Sequence, residues 1–258
     1  MRSRARRLAV QGWRRSPNGR PLVLGHRGAR REAPENTLPA FELAVRQGAD
    51  GVELDVRLDG SGRIIVLHDR TLERVTRKEN LADVESLSAA ELDRVRLAGD
   101  ARVPSLPQVL EWAERGGHRL NVELKRDVSE RRALLFGVAK LFSRRRALAE
   151  LVLFSSFDPL LVRGLAWLLP SYPVAWLVHA KQRVLSRAPL YAQLGAVGVH
   201  PELALASDAR VRRWRRSGAL VNVWTVNEPA DALRLGRAGV DALISDVPGA
   251  VVAAFAAP

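Results

Sequence analysis

Short apolar runs alternate with longer amphipathic stretches along the whole chain, and this alternation narrows the fold more than any other feature. The runs are Leu22–Leu24, Gly51–Val56, Ile64–Leu67, Leu120–Leu124, Leu151–Phe154, Val174–Val178, Ala196–Val199, Leu220–Val226 and Val240–Ile244. Helical patterns stand between most of them, among them Leu38–Gln47, Leu106–Glu114, Ala133–Phe142 and Ala230–Arg237. Strands separated by helices imply a parallel sheet with helices packed outside it. A chain of 258 residues suits one (β/α)8 TIM barrel. Nine runs exceed eight by one. The segment from Val56 to Ile64 is too short for a crossover helix and contains Asp59-Gly60 and Gly62, a hairpin turn signal. Ile64–Leu67 is therefore predicted to return antiparallel along the second strand, leaving eight parallel strands. The polar stretch 69–105, with a capping-box signal at Ser88, is predicted as a small insertion over the barrel mouth.

The formal net charge is +13, and residues 1–20 carry seven arginines and no acid. The other 238 residues carry only +6. The domain reading is accordingly a basic extension over 1–20 and one barrel over 21–258. The extension is expected to add little to the core, its arginines and Trp13 either offering peripheral contact with an anionic membrane or forming a disordered segment whose arginines reflect coding bias. No nucleic-acid module or interleaved aromatics accompany the basic clusters, so no nucleic-acid partner is expected. Cysteine is absent, which excludes disulfides, thiolate metal sites and a cysteine nucleophile. No run reaches the ~20 apolar residues of a membrane span, and no apolar run of signal-peptide length precedes Arg14 and Arg15. A cytoplasmic location is the expectation, with peripheral membrane contact through 1–20.

Active residues of such barrels gather at the C-terminal ends of the strands. His26-Arg27-Gly28 stands there after the first strand, His68-Asp69 after the hairpin return, and Trp224-Thr225-Val226-Asn227 and Ser245-Asp246 after the last two. Glu53 and Asp55 are two apart on one strand and share a face. With Val52, Leu54 and Val56 turned toward the helix layer, both acids point to the barrel axis. Glu123 points inward on the next strand by the same alternation. Three converging carboxylates without a thiolate suit a hard divalent cation such as Mg²⁺ or Ca²⁺. His26 and His68 can act as general base and general acid on either side of a reacting centre. Arg27 and Lys125 offer positive charge to an anionic substrate. The set describes phosphoryl chemistry. His118, ahead of the third strand, is read as structural, while His179 and His200 end later strands as lesser ligand candidates. Trp167, Trp176 and Leu177 are candidate pocket lining.

The ordered blocks Gly25-His26-Arg27-Gly28-Ala29, Ala33-Pro34-Glu35-Asn36-Thr37-Leu38, Gly51-Val52-Glu53-Leu54-Asp55-Val56-Arg57-Leu58, Val66-Leu67-His68-Asp69, Val103-Pro104-Ser105-Leu106, Asn121-Val122-Glu123-Leu124-Lys125, Val223-Trp224-Thr225-Val226-Asn227 and Ile244-Ser245-Asp246-Val247-Pro248 closely resemble the glycerophosphodiester phosphodiesterases, relatives of the phosphatidylinositol phospholipase C barrels. The resemblance covers roughly residues 22–250. It implies metal-dependent hydrolysis of a glycerophosphodiester to an alcohol and sn-glycerol 3-phosphate, with a lysophospholipid or another larger diester as the alternative substrate. It implies that Glu53, Asp55 and Glu123 hold the metal and that His26 and His68 are the acid–base pair. It further implies that Arg27 contacts the phosphate, that Lys125 and Trp224 bind or orient substrate, and that Glu35 and Asn36 belong to the pocket. The turn Asp59-Gly60-Ser61-Gly62 and the stretch Arg77-Lys78-Glu79-Asn80 depart from the usual pattern, which bears on the insertion and the leaving group.

Overall fold

The computed structural model describes residues 4–16, 19–181 and 190–256. Its strands are β1 (Leu22–His26), β2 (Gly51–Leu58), β3 (Ile64–Val66), β4 (Arg119–Leu124), β5 (Val152–Ser156), β6 (Val174–Val178), β7 (Gly198–Pro201), β8 (Leu220–Val223) and β9 (Ala242–Ser245). Eight are parallel and run β1-β2-β4-β5-β6-β7-β8-β9, with β9 pairing back on β1 to close the barrel. The exception is β3, antiparallel to β2 as the turn at Asp59 requires. β2 outlasts β1: Gly51–Glu53 pair with β1, and Val56–Leu58 offer the same edge to β3. The helices are α1 (Arg4–Gly12), α2 (Leu38–Arg46), α3 (Ala89–Leu92), α4 (Leu106–Gly116), α5 (Arg131–Ser143), α6 (Pro159–Leu168), α7 (Leu190–Gln193), α8 (Asp208–Arg216), α9 (Pro229–Ala238) and α10 (Pro248–Ala254). None is long and apolar enough to cross a membrane.

Alternation sorts the side chains. Val52, Leu54 and Val56 join the large core between sheet and helices, together with Phe41, Leu110, Phe142 and Val251. Local chemistry sets the helix starts. Thr37 accepts from the Ala40 N–H, Pro39 sits in the first turn of α2, and Ala40, Phe41 and Ala44 face the sheet. This docks α2 beneath the loop that follows β1. Gly28, at φ +85°, lies so close to α2 that a Cβ would fall 2.6 Å from the Ala40 backbone. Only glycine fits both demands.

The insertion has a core of its own. Leu72, Val84, Leu92, Leu97, Ala101 and Val103 pack on Ile65 and Leu67, the outer side chains of the hairpin return. Ser88 and Glu91 form the expected capping box at α3.

One expectation is overturned. The N-terminal segment is part of the barrel rather than an appendage. Ala9 and Trp13 are fully buried, and Trp13 packs with Leu24, Leu153, Ala175, Val197, Leu220 and Ile244 to form the barrel floor. Its arginines reach main-chain carbonyls below the strands: Arg6 donates to Gly195 O and Arg14 to Gly218 O, each at 2.6 Å, and Arg15 donates to Gly236 O. A ring buried this way cannot sit at a membrane interface. The physical reason is area: an indole is the largest apolar plug available for an open barrel base. Trp13→Ala is expected to cost about 3–5 kcal/mol and to lower the melting temperature by roughly 10 °C. Calorimetry on the variant checks this, and a shift below about 2 °C would remove Trp13 from the stabilising floor.

Candidate active site

Strand register assembles the acids. Asp55 is the Cα partner of Glu123 across β2–β4, and Glu53 is the partner of His26 across β1–β2. All three acids are buried, and one ligand atom from each lies within 4.8 Å of the others. The predicted inward convergence therefore holds.

Two cations are set among them. Lys125 Nζ lies 3.3 Å from Asp55 and 3.1 Å from Glu123, and Arg27 Nε lies 3.2 Å from Asp55. Arg27 is held at φ +58° with its N–H donating to Glu53 O at 2.9 Å, which turns the guanidinium back toward β2. The balance of charge appears in the proton affinities. Burial raises Asp55, but Lys125 and Arg27 overcome it and hold this carboxyl well below the usual range. Burial pushes Glu53 well above its ordinary value, reinforced by Asp55 and Glu123. Burial also raises Glu123, against the pull of Lys125. Two side-chain cations thus leave three acids under-neutralised. The donor set is all oxygen, and Asn121, which lines the same cavity as Glu53 and Glu123, has both amide atoms buried without a partner among the described residues. A hard divalent cation fits these residues.

His26, Arg27, Glu53, His68, Glu123 and Lys125 line a cavity of about 80 Å³, with Phe157, Leu177, Trp224 and Ile244 as its apolar lining. Each histidine is backed by a carboxylate. His26 Nδ1 lies 2.6 Å from Asp246 Oδ1, and His68 Nδ1 lies 2.5 Å from Asp69 Oδ1. Asn227 fixes Asp246 by donating from Nδ2 at 3.0 Å and accepting the Asp246 N–H at 2.9 Å. Arg74 Nε donates to Asp69 at 2.5 Å. A carboxylate at Nδ1 leaves Nε2 to exchange a proton with a ligand. Burial lowers the His26 pKa and Asp246 works against that, while Asp246 itself is lowered to about 2.

The remaining candidates divide. Glu35 spans Arg27 at 2.9 Å and Arg74 at 2.5 Å, and Asn36 donates to Asp55 at 3.0 Å, so both hold the site's charged groups in place. Trp224 stacks edge-on against Phe157 and anchors its Nε1–H on His200 O at 2.8 Å. His200 is fully buried with Asn222 at 3.0 Å, and burial drops its pKa to about 3, so it is a neutral core group. His179 lies 3.4 Å from Glu202 and is absent from the cavity lining. His118 stacks on Trp112, as its structural reading requires. Leu177 lines the cavity, Trp176 is buried with its Nε1–H directed to Phe157 O at 3.4 Å, and Trp167 is exposed on α6. Sequence reasoning gave Asp246, Asp69 and Asn121 no role. Barrel closure was the available signal for Asp246, because β9 must return beside β1.

The sequence matches the glycerophosphoryl diester phosphodiesterase family over residues 26–250. The chain belongs to this family. A glycerophosphodiester phosphodiesterase of Caldanaerobacter subterraneus is 30% identical over 240 residues, covering 90% of this chain and 96% of its own. Among solved structures, an Oleispira antarctica phosphodiesterase in complex with the product sn-glycerol-3-phosphate superposes with a TM-score of 0.83 at 27% identity, over 92% of this chain and 98% of its own. The glycerophosphodiester phosphodiesterase of Agrobacterium tumefaciens gives 0.76 at 27% identity, over 90% and 99%. In this glycerophosphodiester phosphodiesterase barrel the family match begins at His26 itself and takes in every cavity-lining residue named above.

Proposed function

We propose that this chain hydrolyses glycerophosphodiesters to an alcohol and sn-glycerol 3-phosphate, using one divalent cation and the pair His26/His68. The observation that carries the reading is one cavity lined by two carboxylate-backed histidines and by Glu53 and Glu123, with the Asp55 carboxylate converging on the same two acids. Glu53, Asp55 and Glu123 would hold the cation, Mg²⁺ or Ca²⁺. A bound divalent cation supplies positive charge against the phosphoryl oxygens. Arg27 and Lys125 stand ready to bind the phosphate and to offset the charge that gathers on it. One imidazole Nε2 accepts the proton of the attacking hydroxyl. The other delivers a proton to the alcohol oxygen as its bond to phosphorus breaks. Attack by water and prior attack by the neighbouring glycerol hydroxyl both need these two proton carriers. Phe157, Leu177 and Trp224 exclude water from the far wall and leave a small space for the glycerol carbons.

The test is release of sn-glycerol 3-phosphate from a panel of glycerophosphodiesters and lysolipids, assayed with Mg²⁺, with Ca²⁺ and after chelation. Activity is expected with a cation and is expected to fall to background without one. Full turnover after exhaustive chelation removes the metal from the reading. No release from any diester with either ion removes the reaction.

A further inference from the structure

Beside the catalytic cavity, between the loop after β1 and the insertion, lies a wider cleft of about 460 Å³. Four guanidiniums line it, those of Arg30, Arg31, Arg74 and Arg77. Its acids are already engaged. Both oxygens of Glu35 accept from Arg74, one of them also from Arg27, and Glu32 accepts from Gln47 at 2.8 Å. Arg31 meets Asp246 only at 3.9 Å, and Arg30 meets it at 3.5 Å. Arg77 projects from a residue at φ +53° and makes no side-chain ion pair or hydrogen bond among the described residues.

The cleft adjoins the reacting position through shared carboxylates. Asp246 Oδ1 contacts both His26 Nδ1 and Arg30 Nε. Asp69 joins His68 to Arg74, and Glu35 joins Arg27 to Arg74. The cavity of about 80 Å³ is small and partly apolar, which suits the glycerol half that is common to every substrate. The half that varies, the leaving alcohol, then extends into the arginine cleft.

We propose that this cleft binds a phosphate group carried on the leaving alcohol, so that the preferred substrates are glycerophosphodiesters of phosphorylated alcohols. The inference rests on the proposed hydrolysis and adds its substrate class. Guanidiniums suit the task because their planar donor forks match phosphate oxygens in pairs. Each is partly exposed, so the selectivity is electrostatic and weakens with salt.

A matched pair of probes tests this: glycerophosphoinositol, and the same diester bearing one phosphate on the inositol ring. In the native chain kcat/KM should be about tenfold higher for the phosphorylated probe, and the ratio should shrink between low and high salt. Arg31→Gln/Arg77→Gln should bring the ratio near one, with kcat/KM on plain glycerophosphoinositol held within twofold. Arg30 and Arg74 are left intact because they make the closer contacts, at 3.5 Å and 2.5 Å, to the carboxylates behind the histidines, whereas Arg31 stands 3.9 Å from Asp246. Hydrolysis of both probes at equal efficiency by the native chain overturns the cleft and leaves the proposed hydrolysis standing. If neither probe is hydrolysed, equilibrium binding of the same pair decides. Tenfold tighter binding of the phosphorylated probe, lost in the double variant, supports the cleft, and equal binding overturns it.

Discussion

Asp55→Asn is expected to lower kcat/KM on an unactivated glycerophosphodiester by about 10³-fold or more. Positive charge held against a reacting phosphoryl group contributes several kcal/mol, and each 1.36 kcal/mol is tenfold in rate. Asp55 is the acid that most firmly keeps its charge, since Lys125 and Arg27 both lie within 3.3 Å of it. The amide retains the size of the side chain and can still accept from Asn36, so the strand should stay in register. It removes the charge that Lys125, Arg27 and the proposed cation would share. Titration with Mg²⁺ or Ca²⁺ should show weaker cation binding in the same variant, and circular dichroism should show an intact barrel. Turnover within tenfold of the native chain, with unchanged cation affinity, would take Asp55 out of the cation site.

His26→Ala and His68→Ala are each expected to lower turnover by roughly 10²–10⁴-fold, the usual contribution of a positioned acid or base. Neither change should unfold the chain, because both side chains open onto the mouth cavity rather than the packed core. The two variants should differ in one respect. With a nitrophenyl leaving group, which departs without a proton, the variant that lacks the general acid should recover most of its rate, and the variant that lacks the base should not. Steady-state rates on activated and unactivated diesters assign the roles. A variant with native turnover on the unactivated diester has lost nothing the reaction uses.

The parts of the site legible in the sequence are those that follow from period-two alternation on a single strand. Glu53 and Asp55 needed only the apolar residues between them, and Glu123 needed only the next strand. The hairpin return was legible because Asp59-Gly60 leaves no room for a helix. What stayed hidden depends on contacts between distant segments. Trp13 sits in arginine-rich text that reads as solvated, and its neighbours in space come from β1, β5, β6, β8, β9 and the approach to β7. Nothing local announces that. Asp246 is an ordinary acid in sequence, and only closure of β9 onto β1 brings it to the His26 imidazole; Asp69 is the exception, adjoining His68 in the chain, and what stayed hidden there is that its carboxylate turns onto Nδ1. His200 looked available because it ends a strand, yet the end of β7 is sealed by Trp224 and its ring is buried.

Ile65 and Leu67 belong to the insertion's core, and His68 is the next residue along. The proposed catalytic apparatus is therefore divided between two packed cores. The acids, Arg27, Lys125 and His26 rise and fall with the barrel, whereas His68 follows the smaller unit packed above it. Such units can open at different free energies. The endurance of the enzyme under heat or denaturant is then set by the weaker of the two, and a chain whose barrel remains folded can already have lost one of its two proposed proton carriers.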